Sequence, residues 1–271
     1  MTPGNVAFIG GGNMASALIG GLRRAGRAAE SIIVIEPFEA QRARLAQAHD
    51  VVAQAAADAR LAAAEMVVWA VKPQMFGEAA APCAPYIGLA LQLSVMAGVR
   101  SEAIVRASGS AQVVRSMPNT PALIGRGIAG LYAREGVSVA QRAQVEAMFA
   151  PTGATLWVAQ EADLDAVTAL SGSGPAYVFY VLEAMIQAAV AMGLSAEQGK
   201  TLALATFDGA TALAAASAET PATLRAQVTS KGGTTHAAIS ALELDGVGLA
   251  IVAAIRAAQR RAAELGDEFG G

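Results

Sequence analysis

The fold of this chain is decided by the stretch Val6-Ala7-Phe8-Ile9-Gly10-Gly11-Gly12-Asn13-Met14-Ala15. Its four apolar residues predict a buried strand, and the Ala- and Leu-rich residues 14–25 predict a helix after the glycines. Gly10 permits a tight turn, Gly12 leaves space beside the backbone, and Ala15 lets the helix pack closely on its strand. A G-x-G-x-x-A turn between strand and helix predicts a dinucleotide site, with the pyrophosphate at the helix N-terminus.

Short β-branched runs alternate with helical stretches over the first half of the chain. We predict strands over 6–9, 32–35, 66–71, 89–96, 112–115 and 128–132, and helices over 14–25, 40–48, 101–107 and 138–149. Apolar strands separated by helices are typical of a parallel sheet covered on both faces, so this half is predicted to be a doubly wound, Rossmann-like α/β domain. From about Glu161 onward the patterns are helical. We therefore expect a dinucleotide-binding domain over residues 1–160 and an all-helical domain over 161–271.

Composition narrows the function classes. The chain has 271 residues, of which 54% are hydrophobic, and a net charge of −3, which gives no basic surface for nucleic acid. The lone Cys83 fits a reducing compartment, and the N-terminus lacks a signal-peptide pattern, so a cytoplasmic location is expected. His49, at the end of a predicted peripheral helix, is expected at the surface. Neither it nor His236 has metal-ligand spacing, so no metal is expected.

Residues 170–194 are apolar enough to resemble a membrane span, because Glu183 is their only formal charge. No cluster of basic residues flanks them, and they begin with Ser171-Gly172-Ser173-Gly174-Pro175. Ser173 is expected to cap a helix that has Pro175 in its first turn. We expect this helix to be buried on several sides, including against another subunit, rather than in a membrane.

The choice between NADH and NADPH depends on the end of the second predicted strand. Glu36 stands there, and its carboxylate would accept hydrogen bonds from the ribose 2′-OH of NAD and repel a 2′-phosphate. Arg42 and Arg44 follow within two turns. They could bind that phosphate or be solvated helix charges. On physical grounds Glu36 favours NADH, but the sequence leaves the cofactor as NADPH or NADH.

Four further motifs are more specific than folding requires: Trp69-Ala70-Val71-Lys72-Pro73-Gln74, Val114-Arg115-Ser116-Met117-Pro118-Asn119-Thr120-Pro121, Leu170-Ser171-Gly172-Ser173-Gly174-Pro175-Ala176 and Val228-Thr229-Ser230-Lys231-Gly232-Gly233-Thr234-Thr235. Together with the glycine turn, the chain resembles the pyrroline-5-carboxylate reductase family over about residues 5–265. The resemblance implies reduction of the C=N bond of L-1-pyrroline-5-carboxylate to L-proline by NAD(P)H. It also implies a homodimer of interlocked helical domains, often assembled into larger rings, with the active site between the cofactor domain of one chain and the helical domain of the other.

The resemblance assigns roles to individual residues. Ser230, Gly232, Gly233 and Thr234 would bind the substrate carboxylate, and Thr235 would hydrogen-bond the ring nitrogen as the catalytic residue. The polar, glycine-containing turn before a predicted helix fits an anion cradle. The cofactor-binding residues would be Gly10, Gly11, Gly12, Asn13, Met14, Glu36, Ala70, Val71, Lys72, Pro73, Asn119 and Thr120, the last six of these around the nicotinamide.

Two alternatives remain at this point. The chain could be a related imine or β-hydroxyacid reductase with Lys72 as its acid–base group, or a non-catalytic regulator that binds a dinucleotide. A protonated imine already carries its activating charge. Reduction of pyrroline-5-carboxylate therefore needs no dedicated general acid and can depend on positioning and electrostatics. The substrate turn at Ser230–Thr235 argues against a regulator, which has no need of it.

Overall fold

One seven-stranded sheet organises the first part of the chain in the computed structural model, which describes residues 4–269. The strand order is β2-β1-β3-β4-β5-β6-β7, and all neighbours are parallel except β5 and β6. The strands are β1 (Asn5–Ile9), β2 (Ile32–Ile35), β3 (Ala64–Trp69), β4 (Leu91–Ser94), β5 (Val113–Met117), β6 (Gly127–Ala133) and β7 (Gly153–Trp157). The predicted Rossmann-like α/β class is confirmed.

Helices cover this sheet and make up the rest of the chain. Those before residue 170 are α1 (Asn13–Arg24), α2 (Glu39–His49), α3 (Phe76–Ala80), α4 (Ala84–Ile87), α5 (Ser101–Ser108), α6 (Val139–Phe149) and α7 (Asp163–Val167). They are followed by α8 (Gly174–Ala191), α9 (Ala196–Ala216), α10 (Pro221–Gln227), α11 (Thr234–Leu244) and α12 (Val247–Phe269). The chain divides into two compact units, of which the second is Gly174–Ala257. The first contains the described residues up to Ser173 and those from Ala258 onward.

The sheet is buried on both faces because successive side chains along each strand enter opposite hydrophobic clusters. Along β1, Phe8 joins the cluster that contains Leu18 of α1, whereas Ile9 joins the cluster around Trp69. The indole N–H of Trp69 donates to the side-chain oxygen of Gln92 at 2.9 Å, so these two buried polar groups are paired. Cys83 is also buried there, and desolvation raises the pKa of its thiol to about 11.

The antiparallel pair β5–β6 departs from the predicted parallel sheet. The segment between Met117 and Gly127 contains Pro118 and Pro121 and forms only a 3₁₀ turn, Thr120–Ile124. A parallel pair needs a crossover of a dozen or more residues, so this short connection forces β6 to run back along β5. The loop between β5 and β6 lies at the carboxyl ends of the parallel strands, where the glycine turn after β1 and the segment after β3 also lie.

Ser173 does not cap a new helix, contrary to expectation. The chain stays helical from α7 through a π-helical turn, Thr168–Gly172, into α8, and the Ser173 N–H donates to the Thr168 carbonyl at 2.8 Å. Pro175 lies in the first turn of α8 and has no N–H to donate to the Ser171 carbonyl four residues before it. The surface expectation for His49 was also wrong, because it is half-buried with Nε2 2.8 Å from Ser16 Oγ.

The second unit buries very little of its own apolar surface. Within its described helices α8 to α11, only Ala189, Gly199 and Ala203 are buried, whereas Phe179 is 57% exposed. The continuous helix Asp163–Ala191 is long and apolar enough to cross a membrane, by length and composition alone, and two bent helix pairs pass the same test if each counts as one span. A unit of this composition needs a further apolar surface to cover it.

Candidate active site

The glycine turn at the carboxyl end of β1 is shaped as an anion cradle. Gly10 has φ +96°, and a Cβ on it would lie 2.6 Å from the Ala70 carbonyl oxygen, so this position requires glycine. Gly12 begins α1 with φ −65° and no side-chain cap. A Cβ on Gly12 would meet no atom within 4 Å, because it would point into open space beside the first N–H groups of the helix. That space and those donors fit a dinucleotide pyrophosphate.

Glu36 fixes the middle of this turn. Its side chain is buried, with 5% exposure, and its Oε2 accepts the Gly11 N–H at 2.8 Å. Its Oε1 accepts the Phe38 N–H at 2.9 Å. From the other side, the Gln41 amide donates to the Gly11 carbonyl. The Gly11 peptide is therefore held at both its N–H and its C=O before any ligand arrives.

The two arginines that follow Glu36 differ in their partners. Arg42 Nη1 donates to the carbonyl oxygens of Glu36 at 3.0 Å and Pro37 at 2.6 Å. Arg44 is exposed. The Arg42 guanidinium thus stabilises the β2–α2 connection through these two hydrogen bonds.

The end of β3 comes next to the glycine turn. The Ala70 N–H donates to the Ile9 carbonyl at 2.8 Å, and Val71 Cγ1 lies 3.0 Å from where a Cβ of Gly10 would be. Lys72 is exposed and precedes the 3₁₀ turn Pro73–Met75, to which its backbone carbonyl contributes a hydrogen bond. The structure therefore places the backbone of residues 70–73 beside the glycine turn, at the carboxyl ends of β1 and β3.

Asn119 uses both the oxygen and the nitrogen of its side-chain amide within the protein. Oδ1 accepts the Ile128 N–H at 3.0 Å, and Nδ2 donates to the Ser171 carbonyl at 3.1 Å. It ties the start of β6 to the π-helical turn, where Gly172 packs so closely that a Cβ would lie 2.7 Å from Met117 Cε. The neighbouring Thr120 is exposed. Asn119 is built to position this loop.

A buried ionic cluster behind that loop was missed by the sequence reasoning. Arg115, 4% exposed on β5, donates to Glu161 Oε1 at 2.8 Å, and Ser101 donates to Glu161 through both its N–H and its hydroxyl at 2.6 Å. Arg100 pairs with Asp165 through two contacts of 3.2 and 3.1 Å. The one sign of this cluster in the sequence was Arg115, a charged residue that directly follows the apolar strand residues 113–114.

The cluster has a defined charge state. Burial opposes ionisation of Glu161, but the hydrogen bonds from Ser101 and the attraction of Arg115 outweigh it and lower the pKa of this carboxyl. Burial lowers the pKa of the Arg115 guanidinium. The cluster thus depends on an ionised Glu161 and fixes α5 to the segment before α7.

The predicted substrate residues lie in the second unit, in the turn before α11. Gly232 has φ +77°, and Gly233 precedes the helix without a side-chain cap. The Gly233 N–H donates to the Ser230 carbonyl at 3.0 Å, which curls the turn around the helix N-terminus. Ser230 is exposed and Thr235 half-buried, and within residues 4–269 neither hydroxyl has a hydrogen-bond partner. The turn offers free N–H and hydroxyl donors to an anion.

Comparison with known proteins places this arrangement in one family. Residues 161–265 match a domain family described as pyrroline-5-carboxylate reductase dimerisation, and residues 5–98 match one described as NADP oxidoreductase, coenzyme F420-dependent. The chain is 43% identical to the pyrroline-5-carboxylate reductase of Pseudomonas aeruginosa, over 100% of both chains.

Solved structures agree with these matches over nearly the whole length. A pyrroline-5-carboxylate reductase from Coxiella burnetii superposes with a TM-score of 0.88 at 34% identity, covering 97% of this chain and 98% of that one. The Plasmodium falciparum pyrroline carboxylate reductase with NADP bound gives 0.88 at 28% identity, covering 98% and 99%. The chain therefore belongs to the pyrroline-5-carboxylate reductase family.

Proposed function

We propose that this protein reduces the C=N bond of L-1-pyrroline-5-carboxylate to give L-proline, with NADH or NADPH as the hydride donor. Family membership over the full chain supports this activity. The observation that carries it beyond simple dinucleotide binding is the uncapped N-terminus of α11, with the hydroxyls of Ser230 and Thr235, which have no hydrogen-bond partner among the described residues. A protein that only senses a dinucleotide has no use for a second anion cradle.

The first unit would hold the cofactor. The bound dinucleotide supplies a hydride from its nicotinamide. Gly10, Gly11, Gly12, Asn13 and Met14 would receive its pyrophosphate at the N-terminus of α1, and Glu36 would face the adenosine ribose. The backbone of Ala70, Val71, Lys72 and Pro73 and the loop of Asn119 and Thr120 would shape the nicotinamide pocket. Since the Asn119 amide is already occupied by Ser171 and Ile128, its part is to hold that loop in place.

The second unit would hold the substrate. The carboxylate would accept hydrogen bonds from the Ser230 hydroxyl and from the N–H groups of Gly232 and Thr234, at the positive end of α11. Gly233, whose N–H donates to the Ser230 carbonyl, would shape the turn around it. The Thr235 hydroxyl would hydrogen-bond the ring nitrogen as the iminium becomes an amine. Because the protonated imine carries its own positive charge, the residues need only orient it and exclude water, and no side chain has to donate a proton to a developing alkoxide.

Self-association is indicated by the match to a dimerisation domain. We propose that residues 1–160 form the cofactor domain and 161–271 a helical domain that covers its exposed apolar faces with the same domain of a second copy. Further assembly into rings and a cytoplasmic location belong to the same proposal. A protein partner rather than a membrane is supported by Glu183 in the middle of α8 and by the lack of basic residues at its ends.

The direct test is steady-state oxidation of NADH and of NADPH by the purified protein, with pyrroline-5-carboxylate as substrate. Thr235→Ala should lower kcat by about tenfold or more, and Thr235→Ser, which keeps the hydroxyl, should recover most of it. Lys72→Ala serves as the contrast, and its kcat should change by no more than about threefold. Loss of turnover in Lys72→Ala alone would instead favour a reductase with Lys72 as acid–base group. Dinucleotide binding without turnover would favour a regulator.

A further inference from the structure

The connection between β2 and α2 bears on the choice between NADH and NADPH. Because β2 lies beside β1 in the parallel sheet, its carboxyl end adjoins the glycine turn. In sheets of this kind the adenosine ribose lies beyond the end of the second strand. Here that position is occupied by Glu36-Pro37-Phe38-Glu39, of which the last three are exposed.

The Glu36 carboxylate is fixed rather than free to swing away. Its two oxygens accept the N–H groups of Gly11 at 2.8 Å and Phe38 at 2.9 Å, and its backbone N–H donates to the Gln54 carbonyl at 2.8 Å. Each carboxylate oxygen can accept more than one hydrogen bond, so both keep acceptor capacity for hydroxyl donors. A ribose 2′-OH satisfies that capacity, whereas a 2′-phosphate would bring negative charge against a carboxylate that cannot retreat.

The same connection offers no cation to compensate. Between Glu36 and Gln41 no residue is basic, and Glu39 adds a second carboxylate. The first basic side chain, Arg42, already donates to the carbonyl oxygens of Glu36 and Pro37. Its release would leave both carbonyls without this donor.

We propose that this reductase is specific for NADH, and that Glu36 is the specificity-determining residue. The inference rests on the proposed function for its enzymatic meaning, but it concerns the affinity for the dinucleotide and can be measured by binding alone. Glu36 would discriminate between the two dinucleotides in two ways. It would accept a hydrogen bond from the 2′-OH of NADH, and it would repel the 2′-phosphate of NADPH.

The primary measurement is the Kd of the wild-type protein for NADH and for NADPH, by fluorescence titration without substrate. NADH should bind tighter by about tenfold or more. The same ratio should appear with the fragments 5′-ADP and 2′,5′-ADP, which lack the nicotinamide. Equal or tighter binding of NADPH would overturn the proposal.

Two substitutions separate charge from shape. Phe38 is 64% exposed and its side chain makes no capping bond, so Phe38→Arg should fold normally and place a cation beside the 2′ position. It should strengthen NADPH binding by about fivefold or more and leave the Kd for NADH within about twofold. Phe38→Gln is the matched neutral control and should change neither. Equal effects of arginine and glutamine would contradict the assignment of the 2′ position to this connection.

Glu36→Gln tests the carboxylate itself. It removes the charge and one of the two backbone hydrogen bonds, since an amide has a single acceptor oxygen. Affinity for both dinucleotides should fall, but the NADPH-to-NADH ratio of Kd values should narrow by about threefold or more. An unchanged ratio would remove Glu36 as the determinant. Absence of turnover with either cofactor would count against the proposed function, whereas normal turnover with preference for NADPH would count only against the present inference.

Discussion

The Glu36 carboxylate accepts the Gly11 N–H at 2.8 Å, across 25 residues of sequence, and so joins the end of the second strand to the middle of the glycine turn. The turn is therefore preorganised by a side chain that also faces the expected ribose. Neighbouring glycines in this turn have different tasks: Gly11 is buried against Glu36 and Leu45, and Gly12 is exposed.

Substitution of these two glycines should separate folding from binding. In Gly11→Ala, the new methyl would lie 2.7 Å from Leu45 Cδ1, in the core, and should cost about 1–3 kcal/mol of the free energy of unfolding. In Gly12→Ala it would enter open space, so stability should fall only by the cost of the poorer helix N-cap, about 1 kcal/mol or less, while the Kd for the dinucleotide rises about tenfold or more. Thermal melts and fluorescence titrations measure the two effects.

Gly77→Ala in α3 is the control, because its methyl also meets no atom within 4 Å but lies outside the turn. It should not lower the melting temperature, and it should leave the Kd for the dinucleotide unchanged. A normal Kd in Gly12→Ala would show that the pyrophosphate does not lie against this glycine.

Much of the fold follows from the sequence because the decisive patterns are local. The apolar run 6–9, the glycine turn and the helix after it predict a dinucleotide-binding sheet, and the purely helical patterns after Glu161 predict the second half. The antiparallel β6 was not predicted, although Pro118 and Pro121 leave no room for a crossover helix before it.

The site was less accessible to sequence reasoning, because its contacts join distant residues. Asn119 meets Ser171 across 52 positions, and no local pattern indicates that its amide is taken by the backbone. The π-helical turn was missed for a related reason: Ser173 before Pro175 has the composition of a helix start, yet the helix continues through it. The Glu161 cluster was missed because it joins residues that lie far apart in the sequence.

Asn119 should act on turnover through the position of its loop. Asn119→Asp keeps the acceptor for the Ile128 N–H but replaces the donor to the Ser171 carbonyl by a carboxylate oxygen, which repels it. We expect kcat to fall by about tenfold, with a smaller change in the Kd for the dinucleotide and a loss of about 1–2 kcal/mol in the free energy of unfolding.

The exposed neighbour Thr120 supplies the contrast, since Thr120→Val should leave the free energy of unfolding within about 0.5 kcal/mol. Steady-state kinetics, titrations and chemical denaturation of both variants are needed. A loss of cofactor affinity as large as the loss of kcat in Asn119→Asp would mean that this side chain contacts the ligand directly.

Glu161 should make stability depend on pH in acid. Its pKa in the folded protein lies below the ordinary value of 4.5, so the unfolded chain binds more protons and stability rises with pH. The stabilisation is fully present above 4.5 and is lost as the pH falls through the folded pKa. Thermal melts of the wild type should therefore drop more steeply below about pH 4.5 than those of Glu161→Gln.

The variant should be less stable than the wild type at pH 7 by about 2 kcal/mol, because Arg115 loses its charged partner in a largely buried site. Glu264→Gln breaks an exposed pair with Arg261 and should leave the free energy of unfolding nearly unchanged at any pH. Parallel pH profiles for wild type and Glu161→Gln would show that this carboxylate does not govern the acid transition.

The helices of the second unit should associate through their apolar faces. Phe179 on α8 and Ile251 on α12 are 57% and 50% exposed, and Phe179→Glu or Ile251→Glu would place a charge where association requires desolvation. Light scattering after size-exclusion chromatography should show a lower mass for each variant, and the melting temperature should fall because the unit has little core of its own. Leu89→Glu, on a fully exposed residue of the first unit, should keep the wild-type mass. If all three variants keep that mass in buffer without detergent, the apolar faces do not form the subunit interface, and a membrane or another partner must cover them.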